Sequence, residues 1–407
     1  MRDIVDTEIK RMIADDIIEP VPSEPTPWLL PALILPKKDG TIRIVCDARA
    51  ANKAIKRFRY PIPTIDDIIH EMNGWKIMSL LDVRKAYHQL MLSENSRYIT
   101  TFSTHSGIYR YKRMNMGINS AAEIFQYVFH TIVLANLQGV RNISDDILVG
   151  GSTQTEHDTR LHAVLSRLNT NGITLHFEKC HFNKTELTFF GMKFTPNGIS
   201  LTDEKINALL QASNPKTVGE LNSFLGLVSY CSRYIPHQAT ITEPLRLLCR
   251  KDSKWLWSPQ HSQVIDTIKK SLIQHALAYF NTTKATEIIA DASPVGLGAV
   301  LLQTQSNLPG DSKIISFASR TLSDVEKEGL AAVWACEKFH LYIYGRSFTL
   351  TTDNKALECI FNNPKTKTPA RIERWCLRLA QYDYTVKHRP GCGNPADYYC
   401  SNLKYHK

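Results

Sequence analysis

Two adjacent aspartates, Asp145 and Asp146, stand between two short runs of strand-forming residues in the stretch RNISDDILVGG, residues 141–151. The apolar residues on either side, beginning with Ile143, predict two strands with the acidic pair at the turn. Aspartate is common in turns, so an ordinary surface hairpin is one explanation. The other is that the two carboxylates bind divalent metal ions, whose charge removes their mutual repulsion. That explanation requires a third carboxylate elsewhere in the chain.

The chain is basic and long enough to bury more than one core. Its 407 residues suggest about two to four domains. It carries 49 Lys and Arg against 39 Asp and Glu, a formal charge of +10, and its pI is about 9.0. This excess favours a polyanionic partner, and nucleic acid before a membrane surface. The basic residues are spread along the sequence, so the charge alone does not locate a binding face.

Signals for targeting, disulfides, zinc and membranes are weak. The start MRDIVDTEIKRM is too charged for a signal peptide, and the nine cysteines include no C-x-x-C pair, which predicts free thiols in a reducing compartment. The stretch HFEKCH, residues 176–181, has no second cluster to complete a tetrahedral zinc site. The longest apolar run, WLLPALILP, is broken by proline and is shorter than the roughly 20 residues of a membrane span. We therefore expect a soluble or at most peripheral protein.

Strands and helices alternate in the first half of the chain. The stretch PALILPKKDGTIRIVCDAR predicts a hairpin turning at residues 37–40, and IMSLLDV predicts a buried strand ending at Asp82. INSAAEIFQYVFHTIV has helical spacing, and ELTFFGMKFTPNGI predicts a second hairpin turning at residues 196–198. Thr217 and Glu220 predict a capping box that starts a helix. One apolar stripe of that helix would contain Val218, Leu221, Leu225 and Val228.

A second α/β unit is predicted to begin near Thr286. TEIIADAS, GLGAVLLQ, KIISFAS and SFTLTTDN read as strands, and EKEGLAAVWACEKFHLYIYG reads as a helix closed by Gly345. The preceding stretch CRKDSKWLWSPQHSQ has the composition of an exposed linker. Its Trp255 and Trp257 indicate that part of it packs against a core.

The third carboxylate is Asp82, in the stretch SLLDVRKAYHQL. A sheet could bring it beside Asp145 and Asp146. Three carboxylates on adjacent strands of a basic protein indicate two-metal phosphoryl transfer, in which one ion activates a primer 3′-hydroxyl and the other steadies the leaving pyrophosphate. The spacing alone leaves this interpretation open.

Seven ordered blocks extend the pattern over nearly the whole chain. Together they resemble the reverse transcriptase of gypsy-type LTR retrotransposons. The resemblance implies a mixed α/β and α+β fold, a right-hand polymerase of fingers, palm and thumb followed by an RNase H-like domain. It predicts fingers and palm at 1–195, thumb at 196–250, a connecting segment at 251–285 and the RNase H-like domain at 286–402. The blocks are KKDGTIRIVCDARAANKA, YPIPTIDDII, LDVRKAYHQL, YKRMNMGINSAAEIFQ, ISDDILV, FFGMKFTPNGI and ELNSFLGLVSYCSRYI.

The resemblance also implies roles for single residues of the polymerase. Asp82, Asp145 and Asp146 become the palm carboxylates around two Mg²⁺ ions, with Mn²⁺ as a substitute. Lys37, Lys38 and Arg43 match the fingers hairpin over the incoming triphosphate, where a guanidinium fork suits phosphate oxygens. The alternative for those three is a solvated basic hairpin.

Four further residues match nucleic-acid contacts of the family. Tyr87 matches the aromatic residue that lies under the deoxyribose and excludes a 2′-hydroxyl, although a core tyrosine is the alternative. Gly117 matches the segment beneath the templating base pair, and Phe190 with Gly191 matches the hairpin that grips the primer end. Ile143 departs from the family, which usually has an aromatic residue there, so we expect reduced activity or altered fidelity.

Four acids of the second unit, Asp291, Glu328, Asp353 and Asp397, resemble the two-metal centre of ribonuclease H. They are catalytic and metal-binding candidates, although a solvated helix position is the alternative for Glu328. Two departures accompany them. The link before Glu328 is short, and DYYCSN follows Asp397 where the family favours leucine, serine and a basic residue.

The sequence thus predicts a fragment of a retroelement Pol polyprotein with RNA- and DNA-templated DNA polymerase and RNase H activities. Its expected partners are an RNA template, a DNA primer, the RNA–DNA hybrid and deoxynucleoside triphosphates, with Gag and integrase parts of the parent element and no membrane. The expected location is a cytoplasmic virus-like particle, with a nuclear stage as the alternative. Two rival functions stay open: a remnant that binds template and primer without chemistry, and a cellular RNase H with an unrelated partner domain.

Overall fold

The structure is a computed structural model that divides into two compact units, Met1–Leu187 and Thr188–Lys407. It describes residues 2–21, 26, 28–37, 40–251, 253–274, 276–293, 295–304, 312–321, 329–363 and 370–389, with the backbone alone at 273–274. Lys38, Glu328 and Asp397, three of the predicted site residues, lie outside the described residues. None of the described helices combines the length and the apolar character needed to cross a membrane.

The first unit is built on a four-stranded sheet, a hairpin and a three-stranded sheet. The four-stranded sheet has the order β7-β8-β4-β9, the hairpin pairs β2 with β3, and the small sheet has the order β1-β6-β5. The strands are β1 Ile18–Pro20, β2 Ala32–Pro36, β3 Ile42–Cys46, β4 Ile77–Asp82, β5 Phe102–Thr104, β6 Gly107–Tyr111, β7 Val140–Ile143, β8 Asp146–Gly151 and β9 His181–Lys184. The helices are α1 Arg2–Ala14, α2 Ala51–Ala54, α3 Ile65–Glu71, α4 Glu94–Arg97, α5 Ala121–Val128 and α6 Gln154–Thr170.

Burial explains why the central strands of this unit form. β4 and β8 are runs of apolar residues buried on both faces, as expected for strands covered by helices. Helices α5 and α6 cover the sheet through Phe125 and Val164, which join Leu81, Ile147 and Phe129, the residue after α5, in one core. α6 begins where the Thr153 side chain accepts a hydrogen bond from the Glu156 amide, the usual N-cap arrangement.

A buried polar link fixes α6 to the sheet. The Ser79 hydroxyl lies 2.8 Å from His157 Nε2 and accepts a 3.0 Å bond from the Asn183 amide. His157 Nδ1 lies 2.9 Å from Asp158 Oδ1. Ser79 and His157 are fully buried, so this Ser-His-Asp series joins β4, α6 and β9 and has no opening to a substrate.

The second unit places a five-stranded sheet between two sets of helices. The sheet has the order β15-β14-β13-β16-β17, in which β13 is antiparallel to β14 and parallel to β16. The unit begins with a small sheet of the order β10-β11-β12. The strands are β10 Leu187–Phe189, which starts at the boundary, β11 Met192–Thr195, β12 Gly198–Leu201, β13 Thr286–Ala292, β14 Gly296–Thr304, β15 Ser312–Thr321, β16 Ser347–Thr352 and β17 Asp383–His388. The helices are α7 Asp203–Gln211, α8 Val218–Tyr230, α9 Gln238–Ile241, α10 Glu243–Leu248, α11 Pro259–Gln274, α12 Gly329–Lys338, α13 His340–Ile343, α14 Lys355–Phe361 and α15 Ala370–Leu379.

The two faces of the large sheet belong to two different cores. Ile288 and Leu301 face α12 in one core, and Ile289 and Val300 join the residues of α8 to α11 in the other. This division follows from the alternation of side chains along a strand. The segment with the composition of a linker is part of the second core, since Trp255 and Trp257 pack against it. The prediction that these tryptophans pack is confirmed.

Several sequence predictions of local structure need correction. Val218 is largely exposed, and the buried stripe of α8 is Leu221, Phe224, Leu225 and Val228. The Thr217 side chain caps α8, but the Glu220 carboxylate accepts from the amide of Lys216 where a capping box would use Thr217. The single helix predicted up to Gly345 ends at Lys338 and resumes as α13. Gly345 follows it at φ +71°, as a helix-closing glycine should.

Candidate active site

The register between β4 and β8 brings Asp82 and Asp146 together. The two residues are direct partners across the antiparallel pair, and such partners project their side chains from the same face of a sheet. Asp145 lies in the turn between β7 and β8, and its carbonyl accepts a 2.9 Å hydrogen bond from the Val83 amide. The three predicted acids therefore meet at one end of the sheet.

Burial and mutual repulsion disfavour the charged form of Asp146. Burial raises the pKa of this carboxyl to about 6, and the negative charges of Asp145 and Asp82 add to the rise. Lys179 acts in the opposite direction, and its Nζ lies 3.8 Å from Asp82 Oδ2. The site concentrates negative charge that one lysine offsets only in part.

The chemistry of this donor set fits divalent cations. Magnesium and manganese prefer carboxylate oxygens, and Asp82, Asp145 and Asp146 supply them from a half-buried edge. Within the described ranges, no group of three or more His, Cys, Asp or Glu side chains is arranged closely enough to enclose an ion.

Two of the three acids, Asp82 and Asp145, open onto a cleft of about 690 Å³ in the first unit. Five of the predicted residues line it, namely Lys37, Arg43, Asp82, Tyr87 and Asp145. Lys37 and Arg43 are exposed and lie on the β2–β3 hairpin, as predicted. A hairpin with exposed cations facing paired carboxylates suits a ligand that carries both phosphate and metal ions.

Tyr87 has one side in the core and the other in the cleft. Its ring meets Phe125 edge to face, with centroids 5.7 Å apart and planes at 90°. Burial raises the pKa of its hydroxyl, and the charges of Asp145 and Glu123 raise it further. The core interpretation and the sugar-contact interpretation are thus compatible, since packing on Phe125 would hold the ring rigidly beside the acids.

Gly117 occupies a position that only glycine fits. Its φ is +98°, and a Cβ there would lie 3.0 Å from the Cys46 carbonyl oxygen. Its own carbonyl accepts a 2.8 Å bond from Asn52 Nδ2. The segment before α5 is therefore held against the end of β3, next to the cleft residue Met116.

Sequence reasoning missed several residues of the cleft. Helix α1 contributes Glu8 and Arg11, and the segment after β4 contributes Lys85 and His88. Burial lowers the pKa of His88 to about 4, and the Lys85 charge lowers it further. His88 lies inside the recognised block LDVRKAYHQL, which is a signal that could have found it. The position of α1 had no such signal, because only the tertiary fold brings it to the cleft.

The predicted primer-contacting turn belongs to the second unit. Phe190 and Gly191 lie between β10 and β11 with φ of +47° and +64°, and Phe190 is half exposed. The Tyr230 hydroxyl donates to the Phe190 carbonyl, and Lys205 Nζ lies 3.7 Å from the centroid of the Tyr230 ring. Helices α7 and α8 thus hold this turn in place.

Two of the four predicted RNase H acids lie within the described residues. Asp291 is near the end of β13, and Asp353 directly follows β16. The two strands are parallel neighbours that pair Ile289 with Thr351, so two residues further along both acids are level at the same edge of the sheet. His237, which sequence reasoning missed, lies over Gly298 with its Nδ1 3.9 Å from Asp291 Oδ2.

Two known protein families match separate parts of the chain. The model for "Reverse transcriptase (RNA-dependent DNA polymerase)" matches residues 35–194, and the model for "RNase H-like domain found in reverse transcriptase" matches residues 281–382. The chain contains a reverse transcriptase domain and an RNase H-like domain. The prediction of a polymerase followed by an RNase H-like domain is confirmed, and the cellular RNase H alternative is wrong.

The curated relatives of this chain are much longer proteins. The transposon Tf2-3 and Tf2-7 polyproteins of Schizosaccharomyces pombe are each 31% identical over 373 residues, which cover 89% of this chain. The chain spans 28% of the length of each relative.

Solved structures share the fold of this chain. The foamy viral protease-reverse transcriptase dRH with double-stranded DNA has a TM-score of 0.81, at 21% identity over 95% of this chain and 69% of that one. The foamy viral protease-reverse transcriptase with an RNA/DNA hybrid has a TM-score of 0.78, at 21% identity over 95% and 53%. At this identity the likeness establishes the fold alone.

The raised pKa of Asp146 predicts a stability penalty in the metal-free protein. Because burial moves the pKa of this carboxyl from 3.8 to about 6, its ionisation destabilises the fold increasingly as the pH rises between those values, fully above the second, and not at all where both states are protonated. We expect Asp146→Asn to raise the unfolding free energy at pH 8 by about 1–2 kcal/mol, after allowance for partial exposure. The gain should shrink towards zero at pH 4. Urea unfolding in the presence of a chelator measures the unfolding free energies of the variant and the wild type at both pH values. Equal unfolding free energies at pH 8 would contradict the raised pKa of Asp146.

Proposed function

We propose that this chain is the reverse transcriptase and RNase H region of a gypsy-type LTR retrotransposon Pol polyprotein. It copies RNA, and also DNA, into DNA, and it degrades the RNA strand of the hybrid. The observation that carries the proposal is that Asp82, the register partner of Asp146, lines one cleft together with Asp145, Lys37 and Arg43. Acids and phosphate-binding cations facing one another are what nucleotidyl transfer requires.

Each residue of the cleft has a separate task in this mechanism. Lys37 and Arg43 bind the triphosphate of the incoming nucleotide, and Tyr87 lies under its sugar. The carboxylates of Asp82, Asp145 and Asp146 would hold two Mg²⁺ ions, or Mn²⁺ in their place. Such ions would supply activation of the primer 3′-hydroxyl and a counter-charge for the pyrophosphate.

The RNase H half has the same donor chemistry. Asp291 and Asp353, with the predicted Glu328 and Asp397, would hold divalent ions, which would supply support for hydrolysis of the RNA phosphodiester. The two activities belong together, because copying an RNA template leaves a hybrid whose RNA must be removed.

The gypsy-type assignment rests on the seven ordered sequence blocks. The curated relatives are transposon polyproteins, and the solved relatives were determined with double-stranded DNA and with an RNA/DNA hybrid. These relatives support an RNA template, a DNA primer and their hybrid as partners. Deoxynucleoside triphosphates follow from the reaction, and Gag and integrase parts follow from the length of the relatives. The site of action we propose is a cytoplasmic virus-like particle.

Ile143 bears on the alternative of an inactive remnant. Its side chain is only 7% exposed, and it pairs with Asp146 in the register of β7 and β8. An apolar residue there preserves the strand that carries the acids, so the departure from the family is compatible with chemistry. Reduced activity or altered fidelity stays our prediction.

Replacing an acid should separate chemistry from binding. We expect Asp145→Asn and Asp82→Asn each to abolish extension of a DNA primer on an RNA template with Mg²⁺. Affinity for template and primer should persist, because it comes from Lys and Arg contacts to phosphates. Asp266→Asn, at an exposed position of α11, is the control that should extend normally. Primer extension by either active-site variant at close to the wild-type rate would show that the replaced aspartate is not needed for polymerisation.

Tyr87 should control the choice of sugar. We expect Tyr87→Ala to admit ribonucleotides, since its ring is the proposed barrier to a 2′-hydroxyl, and Tyr87→Phe to keep the preference because the ring remains. Incorporation of both sugar types by the two variants and the parent measures this. An unchanged preference in Tyr87→Ala would return the residue to a purely structural role.

The nuclease half should be weaker than the polymerase half. The link before Glu328 lies outside the described residues, and our expectation rests on its short sequence, since a metal ligand displaced by about 1 Å costs on the order of a hundredfold in rate. One preparation should be assayed on a primed RNA template and on a labelled RNA–DNA hybrid, with Glu328→Gln as the control. Hybrid cleavage as vigorous as primer extension, and lost in the variant, contradicts this prediction.

A further inference from the structure

Gln126 on α5 uses its whole side-chain amide beneath the catalytic hairpin. The residue is 1% exposed. Its Nε2 donates to the Asn142 carbonyl at 3.0 Å and to Asn142 Oδ1 at 3.2 Å. Its Oε1 accepts from Asn142 Nδ2 at 3.2 Å and from the Ser144 amide at 3.1 Å. Two donors and two acceptor positions are therefore all occupied, which is the full capacity of the group.

These bonds go to Asn142 and Ser144, two of the three residues that precede the acid pair. Asn142 is on β7, is 3% exposed and faces Gln126 amide to amide. Ser144 directly precedes Asp145 and has φ of +51°, a left-handed conformation that costs a non-glycine residue about 1–2 kcal/mol. Gln126 thus holds the hairpin at its most strained residue.

Other contacts hold the hairpin on both sides of the turn. On the far side of the turn, the Val83 amide donates to the Asp145 carbonyl at 2.9 Å. On the near side, Phe125, the neighbour of Gln126 on α5, supports the ring of Tyr87. The acids repel one another and Ser144 is strained, so the hairpin would relax to another geometry without bonds on both sides. A buried network with every group satisfied specifies one geometry, because any other geometry would leave buried polar groups unpaired.

We propose that Gln126 is a positioning residue for polymerisation, which sets the place of the Asp145 and Asp146 carboxylates through Asn142 and the backbone of Ser144. The inference rests on the proposed function of the same site. Gln126 itself contacts neither substrate nor metal, and it acts only through the hairpin.

The chain offers a matched control in Gln303 on β14. That glutamine is fully buried and makes three bonds, with Nε2 donating to the Asn281 carbonyl at 2.8 Å and to Thr286 Oγ1 at 3.0 Å, and Oε1 accepting from the Asn281 amide at 2.7 Å. Gln126→Met and Gln303→Met each replace a buried, hydrogen-bonded amide by an apolar side chain of similar length. Both should lower the unfolding free energy, but only the first touches the hairpin.

Primer extension by the full chain tests the role in catalysis. We expect Gln126→Met to lower kcat about 100-fold, as a displacement of about 1 Å does, with KM for the nucleotide and affinity for template and primer nearly unchanged. Gln126→Glu keeps an acceptor for the Ser144 amide and should lose only about tenfold by the same argument. Gln303→Met should keep the wild-type kcat. Equal kcat in Gln126→Met and Gln303→Met overturns the proposal.

Amide hydrogen exchange keeps this test separate from that of the proposed function. In metal-free protein, the amides of residues 144–147 should exchange at least about tenfold faster in Gln126→Met and in Gln126→Glu than in the wild type. Gln303→Met should leave them unchanged. If the wild type extends no primer, the proposed function fails while exchange still decides whether Gln126 positions the hairpin. Unchanged exchange in both Gln126 variants overturns the inference even if Gln126→Met is too unstable to assay.

Discussion

The antiparallel pairing of β4 with β8 is the constraint on which the site depends. It sets Asp82 opposite Asp146, and it places Asp145 where the Val83 amide can bind its carbonyl. A slip of one residue would move every side chain of one strand to the other face. The apolar burial of both strands prevents that slip, so core packing and catalytic geometry are set by the same hydrogen bonds.

Electrostatic repulsion between the carboxylates destabilises this arrangement. Three carboxylates share a half-buried edge, where Lys179 provides a partial counter-charge, and the strained Ser144 lies among them. The three carboxylates repel one another, and the charge of a bound divalent cation would offset that repulsion. The site is therefore suited to bind divalent cations. The bonds from α5 resist the strain in the hairpin, and the same helix supports Tyr87.

Much of this site could be predicted from sequence, and its shortfalls have physical causes. Apolar runs predicted β4 and β8, and the Asp pair marked their turn, but register depends on which side chains pack across the sheet. Helix α1 reaches the cleft through tertiary contacts that no local pattern encodes. Val218 joined the predicted stripe by its spacing, yet a residue in the first turn of a helix can extend past the core. His237 meets Asp291 from a segment far from it in sequence, which periodicity cannot reveal.

Anomalous diffraction from the chain crystallised with primer, template, a non-hydrolysable nucleotide and Mn²⁺ tests the central claim most directly. The account predicts two manganese peaks, each within about 2.0–2.6 Å of carboxylate oxygens from Asp82, Asp145 or Asp146, with the triphosphate against Lys37 and Arg43. Manganese bound elsewhere, or a nucleotide bound without metal at these three carboxylates, would contradict it.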